Sequence, residues 1–565
     1  MHLRSLLIGT SAAAALVAGA AQAERGADGQ VNILYWQAAS ILNPYLSGGT
    51  KDVEAASVIL EPLARYDENG NMVPWLVDEI PTVENGGVSE DLTQITWTLS
   101  EGILWSDGTP LTAADVVFTG DYCMNPDGGC QQSEKFTDVA SVEALSDREV
   151  RITFSVPKPF PYGPFVGTEA PIIQAAQFAD CMGANAPQCT DENFGPIGTG
   201  PFVVSEFRAN DVVVYEANEN YREADKPHFQ TVVFKGGGDA ASAARSVLET
   251  GEFDYAWNLQ VEPEILTQMA AAGRGQVVSS FGTSVERLHT NFTNPDPALG
   301  DERATVAHPH PFLTDAAVRR ALSLAIDRQV LVDAGYGEAG RPTCNVLPAP
   351  AIYASTNNDW CLTQDIAQAN QLLDEAGWER GSDGVREKDG VRLSILYQTS
   401  TNSVRQGTQA LIKQWWDQIG VETELKNIDA AVFFGGDQSS PDTFQKFFAD
   451  IEMYTNNFSG TDPEAYMGSW VCSQAPQPEN NWLGNNMPRY CDPAYDALVA
   501  EFAKTAALDE RAEIAKQLND MLMEAGAMIP LIHRGDVSAH ALTLGGVRMN
   551  SWDSELWNIA DWHRM

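Results

Sequence analysis

The sequence predicts an α/β protein whose domains are interleaved along the chain. Short stretches with alternating apolar residues, typical of half-buried strands, are separated by helical stretches with one apolar face. The chain has 565 residues, which exceeds one ordinary core because domains average about 150 residues. We find no internal repeat and no long low-complexity linker. We therefore expect the chain to cross between domains more than once.

Residues 1–23 predict an export signal. His2 and Arg4 form a short basic start, an apolar and small stretch follows, and Ala21-Gln22-Ala23 fits a cleavage site. We expect cleavage after Ala23, which makes Glu24 the mature N-terminus. The apolar stretch is shorter than the ~18 residues of a membrane span. The expectation is a soluble protein in the periplasm of a Gram-negative cell, not one embedded in a membrane.

The first third of the chain predicts strands at 31–36 and 95–99 and a helix at 53–60. Residues 66–71 predict a hairpin turn. After the second strand, Ser106-Asp107-Gly108-Thr109 indicates a turn, since Asp and Gly tolerate the backbone that turns need. Pro110 ends sheet pairing, and Thr112 with Asp115 predicts a capped helix.

The middle of the chain predicts strands at 150–154, 211–216 and 231–235, then a helix at 240–250. Residues 196–202 (Pro-Ile-Gly-Thr-Gly-Pro-Phe) indicate a tight crossover. Residues 285–292 predict a strand that crosses into a second domain.

The second half predicts a helix at 315–328 that Thr314 or Asp315 caps, and its apolar face repeats at helical spacing. Asp383-Gly384 and Asp389-Gly390 bracket a hairpin. The remaining predicted elements are helices at 364–376, 404–419 and 508–524, a helix that begins near Asp492, and strands at 392–398, 421–425 and 529–532.

Eight cysteines form four pairs of near neighbours in the sequence. An exported chain meets an oxidising compartment, so disulfides between neighbours are expected. A metal site is the alternative, but no pair has Cys-x-x-Cys spacing and no histidine cluster accompanies them. The predicted disulfides are Cys123–Cys130, Cys181–Cys189, Cys344–Cys361 and Cys472–Cys491.

The formal net charge is −42, and such a surface repels nucleic acid and anionic lipid. It indicates either affinity for cationic ligands or simply solubility, and the even spread of charge favours solubility. The sequence contains no Gly-x-Ser-x-Gly, His-Glu-x-x-His or Walker motif. We therefore expect a binding protein without a catalytic site, metal or other cofactor. A secreted hydrolase and an envelope interaction protein remain alternatives.

Residues 95–120, residues 196–202 and residues 312–327 together resemble the family 5 extracellular solute-binding proteins of ABC importers, the dipeptide, oligopeptide and nickel-binding receptors. The resemblance covers nearly the whole mature chain. It implies a type II periplasmic-binding-protein fold with two main lobes and a small extra domain inserted in the first. The implied ranges are 24–66, 197–285 and 536–565 for lobe I, 67–196 for the extra domain, and 286–535 for lobe II.

The resemblance implies that two lobes close over a small solute, a peptide first of all, and that an ABC permease receives it from a monomer. Arg405 lies within one residue of a position that meets the ligand carboxylate in the dipeptide receptor. The window where peptide receptors place an aspartate for the ligand amine holds Asn, Phe and Ser here, so an oligosaccharide or another small solute is an alternative ligand. The expected ligand-binding residues are Tyr35, Trp36, Trp257, Asn258, Arg405, Tyr454, Asn456, Asn457 and Asp462.

Overall fold

Lobe I is built on a seven-stranded sheet. The computed structural model describes residues 25–458 and 460–565, so the predicted export signal and its cleavage point lie outside the described residues. The sheet combines strands from both ends of the chain, which makes lobe I discontinuous in sequence. In spatial order its strands are Gly275–Ser280, Asp536–Ala541, Tyr255–Ala256, Gln30–Tyr35, Thr231–Gly236, Val212–Ala217 and Phe202–Arg208.

The extra domain is built on a three-stranded antiparallel sheet in the order Gln94–Thr98, Glu149–Phe154 and Val139–Ala144. Its helix Ala113–Met124 begins with the predicted capping box, in which Thr112 N donates to Asp115 Oδ2 over 2.9 Å. Trp97 is fully buried in a hydrophobic cluster that also contains residues of lobe I. Because the two share one core, the extra domain is fixed firmly to lobe I.

Lobe II is built on a six-stranded sheet. The strands are, in spatial order, Gly340–Pro342, Met528–Arg534, Val285–Thr290, Ile451–Asn456, Ser394–Ser400 and Glu422–Ile428. Every residue of Val285–Thr290 is buried, as the predicted crossing strand requires. The chain returns to lobe I between Arg534 and Asp536, where one sheet's strand ends and the other's begins.

The predicted helix at 315–328 is two helices in the structure. The first is Ala316–Leu324, and the Asp315 side chain caps it by accepting from Ala317 N over 2.9 Å. The second begins at Arg328, because the Asp327 side chain accepts from Val330 N over 3.1 Å and starts a new helix there. A residue read as the end of one helix is therefore the cap of the next.

The other helices surround the sheets. They are Thr50–Ala56, Ala240–Arg245 and Pro263–Ala270 in lobe I; Ala175–Phe178 and Thr190–Phe194 in the extra domain; and Arg328–Gly335, Ile366–Glu375, Ser403–Gln418, Ala430–Phe433, Glu464–Gly468, Pro493–Phe502 and Leu508–Ala525 in lobe II. Among the described residues, none of the helices is both long and apolar enough to span a membrane.

Short hairpins complete the structure. The predicted hairpin near Asp67 pairs Ala64–Tyr66 with Met72–Pro74, and the predicted hairpin after residue 378 joins Glu379–Arg380, Arg386–Lys388 and Val391–Arg392. All four predicted disulfides are present: Cys123–Cys130, Cys181–Cys189, Cys344–Cys361 and Cys472–Cys491.

Candidate functional site

A cleft between the lobes contains two adjacent compartments. The inner compartment, of about 110 Å³, lies between lobe I and lobe II near the two crossings. The outer compartment, of about 280 Å³, lies between the extra domain and lobe II. Four residues line both and mark their junction: Gly48, Asn456, Asn457 and Asn485.

Trp257 forms an aromatic wall of the inner compartment. It follows the short strand Tyr255–Ala256, and its N–H donates to Leu34 O over 3.1 Å. Its ring stacks on Tyr35, with centroids 4.5 Å apart and planes 1° apart. Tyr35 and Trp36 lie behind this wall and are not part of the lining; Trp36 Nε1 donates to Asn258 O over 2.8 Å. Their role in the structure is to hold Trp257 and Asn258 in place.

Asn258 lies in the lining beside Trp257 and connects the two lobes. Its φ of 54° is in the left-handed region, which Asn tolerates better than most residues. The Asn258 side chain accepts a hydrogen bond from Arg534, which also donates to Thr455 Oγ1 over 3.1 Å. Arg534 precedes the return crossing, so this contact joins lobe I to the end of lobe II.

Arg405 lies in the first turn of helix Ser403–Gln418, in the lining of the inner compartment. Its guanidinium forms a two-pronged ion pair with Glu286, with Nε–Oε1 2.8 Å and Nη2–Oε2 3.2 Å, and Nη1 donates to Ser400 over 2.7 Å. Both partners are buried. Burial alone opposes ionisation, but the Arg405 guanidinium holds the pKa of Glu286 below its ordinary value. Arg405 therefore has a partner within the protein.

The strand Ile451–Asn456 supplies the lobe II side of the cleft. Tyr454 is buried, and its ring stacks on His289 with centroids 4.4 Å apart. Asn456 and Asn457 follow at the strand's end, half-buried at the junction of the compartments. Their amide groups offer both donors and acceptors to a polar ligand.

Four carboxyl groups of lobe I line the inner compartment, and none of them is predicted from the sequence: Glu54, Asp536, Asp553 and Glu555. Glu54, on helix Thr50–Ala56, accepts from Ser554 Oγ over 2.5 Å and from Glu555 N over 3.1 Å. The Glu555 side chain accepts from Ser538 Oγ over 2.6 Å. Burial raises the pKa of Glu54 and of Glu555, and repulsion from Glu54 raises that of Glu555 further. Residues 550–555 have no regular secondary structure, so no periodic pattern identified them.

Asp462 lies in the lining of the outer compartment, where it forms an ion pair with Arg511 at 2.7 Å. Nearby, Lys158 of the extra domain forms ion pairs with Asp138 at 3.0 Å and with Glu464 of lobe II at 2.8 Å. The extra domain therefore contacts lobe II directly through a charge pair across the outer compartment.

The structure has two lobes joined by two crossings, with a cleft between them, an arrangement that suits the binding of a ligand between lobes. Residues 71–478 match the family described as bacterial extracellular solute-binding proteins, family 5. The chain belongs to this family of solute-binding proteins.

Relatives in sequence include Protein XP55 from Streptomyces lividans, 29% identical over 68% of this chain and 64% of that protein's length. The glutathione-binding protein GsiB from Salmonella typhimurium is 24% identical over 89% of each chain. Among solved structures, the oligopeptide-binding protein AppA from Bacillus subtilis, in complex with a nonapeptide, matches with a TM-score of 0.82 at 20% identity, over 96% of this chain and all of AppA. These matches confirm the predicted two-lobed fold.

Proposed function

We propose that this protein is a periplasmic receptor that binds a short peptide between its lobes and delivers it to an ABC permease. The observation that carries the proposal is the inner compartment, which both lobes line and which combines an aromatic wall with side chains of both charges. A short peptide has the same combination: charged ends, amide groups and side chains of varied polarity. The names of GsiB and AppA, which bind glutathione and an oligopeptide, support the peptide as the ligand class.

The residues of the inner compartment suggest how a peptide is held. Trp257 offers a flat apolar surface for a side chain or a peptide plane. Asn258, Asn456 and Asn457 offer amide groups that can pair with the peptide backbone. Arg405 keeps N–H groups beyond those that bind Glu286 and Ser400, and these can meet a carboxylate.

The proposed lobes and extra domain have the residue ranges expected from the sequence. The seven-stranded sheet draws its strands from 30–35, 202–280 and 536–541, and the six-stranded sheet from 285–534. Export to the periplasm and a monomeric receptor also remain part of the proposal. Export is supported by residues 1–23 and by four disulfides, which form in oxidising compartments.

The function is tested by native mass spectrometry of protein purified from its own periplasm, followed by calorimetry with the ligand that copurifies. We expect a peptide, and we expect Trp257→Ala to weaken its binding at least tenfold because the variant loses the stacking surface. Trp415→Ala is the matched control, since Trp415 is a half-buried tryptophan that packs on the lobe II core, outside the cleft. A copurified sugar, or equal binding by the two variants, contradicts the proposal.

A further inference from the structure

The outer compartment carries more negative than positive side chains. Six carboxyl groups and two lysines line it. Most of these groups have a partner: Lys135 pairs with Glu169 at 2.9 Å, Lys158 with Asp138 and Glu464, and Asp462 with Arg511. Glu134 and Asp496 have no ion pair within the described residues, although Asp496 accepts a hydrogen bond from Cys472 N over 3.1 Å. The surplus of negative charge therefore comes from Glu134 of the extra domain and Asp496 of lobe II.

Two acceptor atoms of this compartment are buried and have no hydrogen-bond partner among the described residues. They are Glu134 Oε2 and Gln131 Oε1. Gln131 is 1% exposed, and its Nε2 is held by Asn485 Oδ1 of lobe II at 2.6 Å, so its amide oxygen is fixed in position. A buried acceptor without a donor destabilises the folded protein, because its lost hydration is not replaced. Two such atoms three residues apart in a cavity wall indicate that a ligand supplies the donors.

The charged groups of the inner compartment differ in this respect. Arg405 binds Glu286, Asp553 binds Arg65 at 2.7 Å, and Glu555 accepts from Ser538. In the described part of the chain, no side-chain atom that lines the inner compartment is both buried and without a partner. Of the two compartments, only the outer one has buried acceptors without a hydrogen-bond partner among the described residues.

A donor with positive charge suits these two atoms best, because one of them belongs to a carboxyl group in a lining with more negative than positive side chains. Primary ammonium and guanidinium groups carry several N–H donors and no acceptor, so they match an amide oxygen beside a carboxyl group. An anionic group is repelled there. The compartments meet at Asn456, Asn457 and Asn485, so a peptide held in the inner compartment can extend into the outer one.

We propose that the outer compartment binds a positively charged group of the peptide, an ammonium or a guanidinium, which donates to Glu134 Oε2 and Gln131 Oε1. This inference rests on the proposed function and narrows its substrate class to peptides with a free amine or a basic side chain. Burial raises the pKa of Glu134 to about 7 in the ligand-free protein. A cation that binds beside Glu134 favours the ionised form of this carboxyl group, because its positive charge attracts the carboxylate.

The test uses four tripeptides in calorimetry at pH 8: Ala-Lys-Ala and Ala-norleucine-Ala, each with a free and with an acetylated N-terminus. Lysine and norleucine differ chiefly in the terminal charge. If a basic side chain occupies the compartment, the lysine peptides bind at least tenfold more tightly than the norleucine peptides, acetylated or not. If the terminal amine occupies it, acetylation weakens binding at least tenfold whatever the central residue.

In Glu134→Gln, the preference for lysine over norleucine, or for a free over an acetylated N-terminus, is expected to fall below threefold. The amide keeps the shape of the side chain and removes its charge. Gln131→Met, which removes the second acceptor, is an independent variant with an effect in the same direction. Glu79→Gln is the matched control, since Glu79 is an exposed glutamate of the extra domain outside the cleft.

The outcomes separate the inference from the function on which it rests. Binding of the peptides without any preference for positive charge, or a preference that persists in Glu134→Gln, overturns the inference and leaves the peptide receptor intact. If none of the four peptides binds, both the peptide function and the inference fail.

Discussion

The role inferred for Arg405 changes once its neighbours in the structure are known. From the sequence it is a free arginine at a helix start, available to a ligand carboxylate. In the structure Glu286, which lies 119 residues away on the crossing strand, neutralises it. The pair joins two elements of lobe II beside the cleft. Arg405 therefore contributes to the stability of the site in addition to any contact with the ligand.

Arg405→Met is expected to destabilise the protein by about 3–5 kcal/mol, because it leaves the buried Glu286 carboxylate without its partner. The double variant with Glu286→Gln should recover part of this loss, since no buried charge remains. Urea unfolding followed by circular dichroism measures both. Arg392→Met is the control: Arg392 forms exposed ion pairs, and its loss should destabilise the protein far less. Equal losses for Arg405→Met and Arg392→Met would contradict the assignment.

At the scale of elements, the sequence predicts most helices and strands wherever local signals are strong. The capped helix after Thr112 and the helix Leu508–Ala525 are confirmed because cap residues and apolar spacing are local properties. The sequence predicts one helix through Asp327 where the structure has two. The apolar spacing runs on past Asp327, so the sequence does not show that this residue caps a new helix.

The candidate site is harder to predict from the sequence than the fold. The hydrogen bond between Glu54 and Ser554 joins residues 500 positions apart in the sequence. Ser554 also lies in a segment that has no periodic pattern. The unpartnered oxygen of Gln131 likewise depends on Asn485, 354 residues away. The Glu54 carboxyl group and the Gln131 amide oxygen are recognised as site groups only when tertiary contacts are known, because neither residue spacing nor composition indicates those contacts.

The disulfide Cys472–Cys491 closes a loop that carries Asn485, the partner of Gln131 at the outer compartment. Replacing both cysteines by alanine should cost about 3 kcal/mol by the loop-entropy relation. It should also weaken tripeptide binding, because the loop no longer holds Asn485 in place. The control is the double alanine variant of Cys181 and Cys189, whose disulfide lies in the extra domain and outside both compartments. Thermal unfolding and calorimetry report the two effects, and unchanged affinity in the first variant would refute the proposed role of the loop.

At the scale of the whole molecule, polar contacts join the two sides of the cleft through residues that are far apart in sequence. The formal net charge of −42 makes the two sides of the cleft repel each other on average. Lys158 opposes this repulsion, since it lies between Asp138 of the extra domain and Glu464 of lobe II. Its side chain is 4% exposed, so salt screens these ion pairs weakly.

Lys158→Met is therefore expected to shift the ligand-free protein towards an open arrangement, because Asp138 then loses its cation and Glu464 keeps only Arg511 of its own lobe, at 3.2 Å. Small-angle X-ray scattering should give a larger radius of gyration than for the unmodified protein, and saturating tripeptide should reduce the difference. Affinity should fall about tenfold if opening costs about 1.4 kcal/mol. Lys516→Met is the matched control, because Lys516 pairs with Glu513 on the exposed side of a lobe II helix. If Lys158→Met leaves both the scattering curve and the affinity unchanged, the ion pair does not contribute to closure.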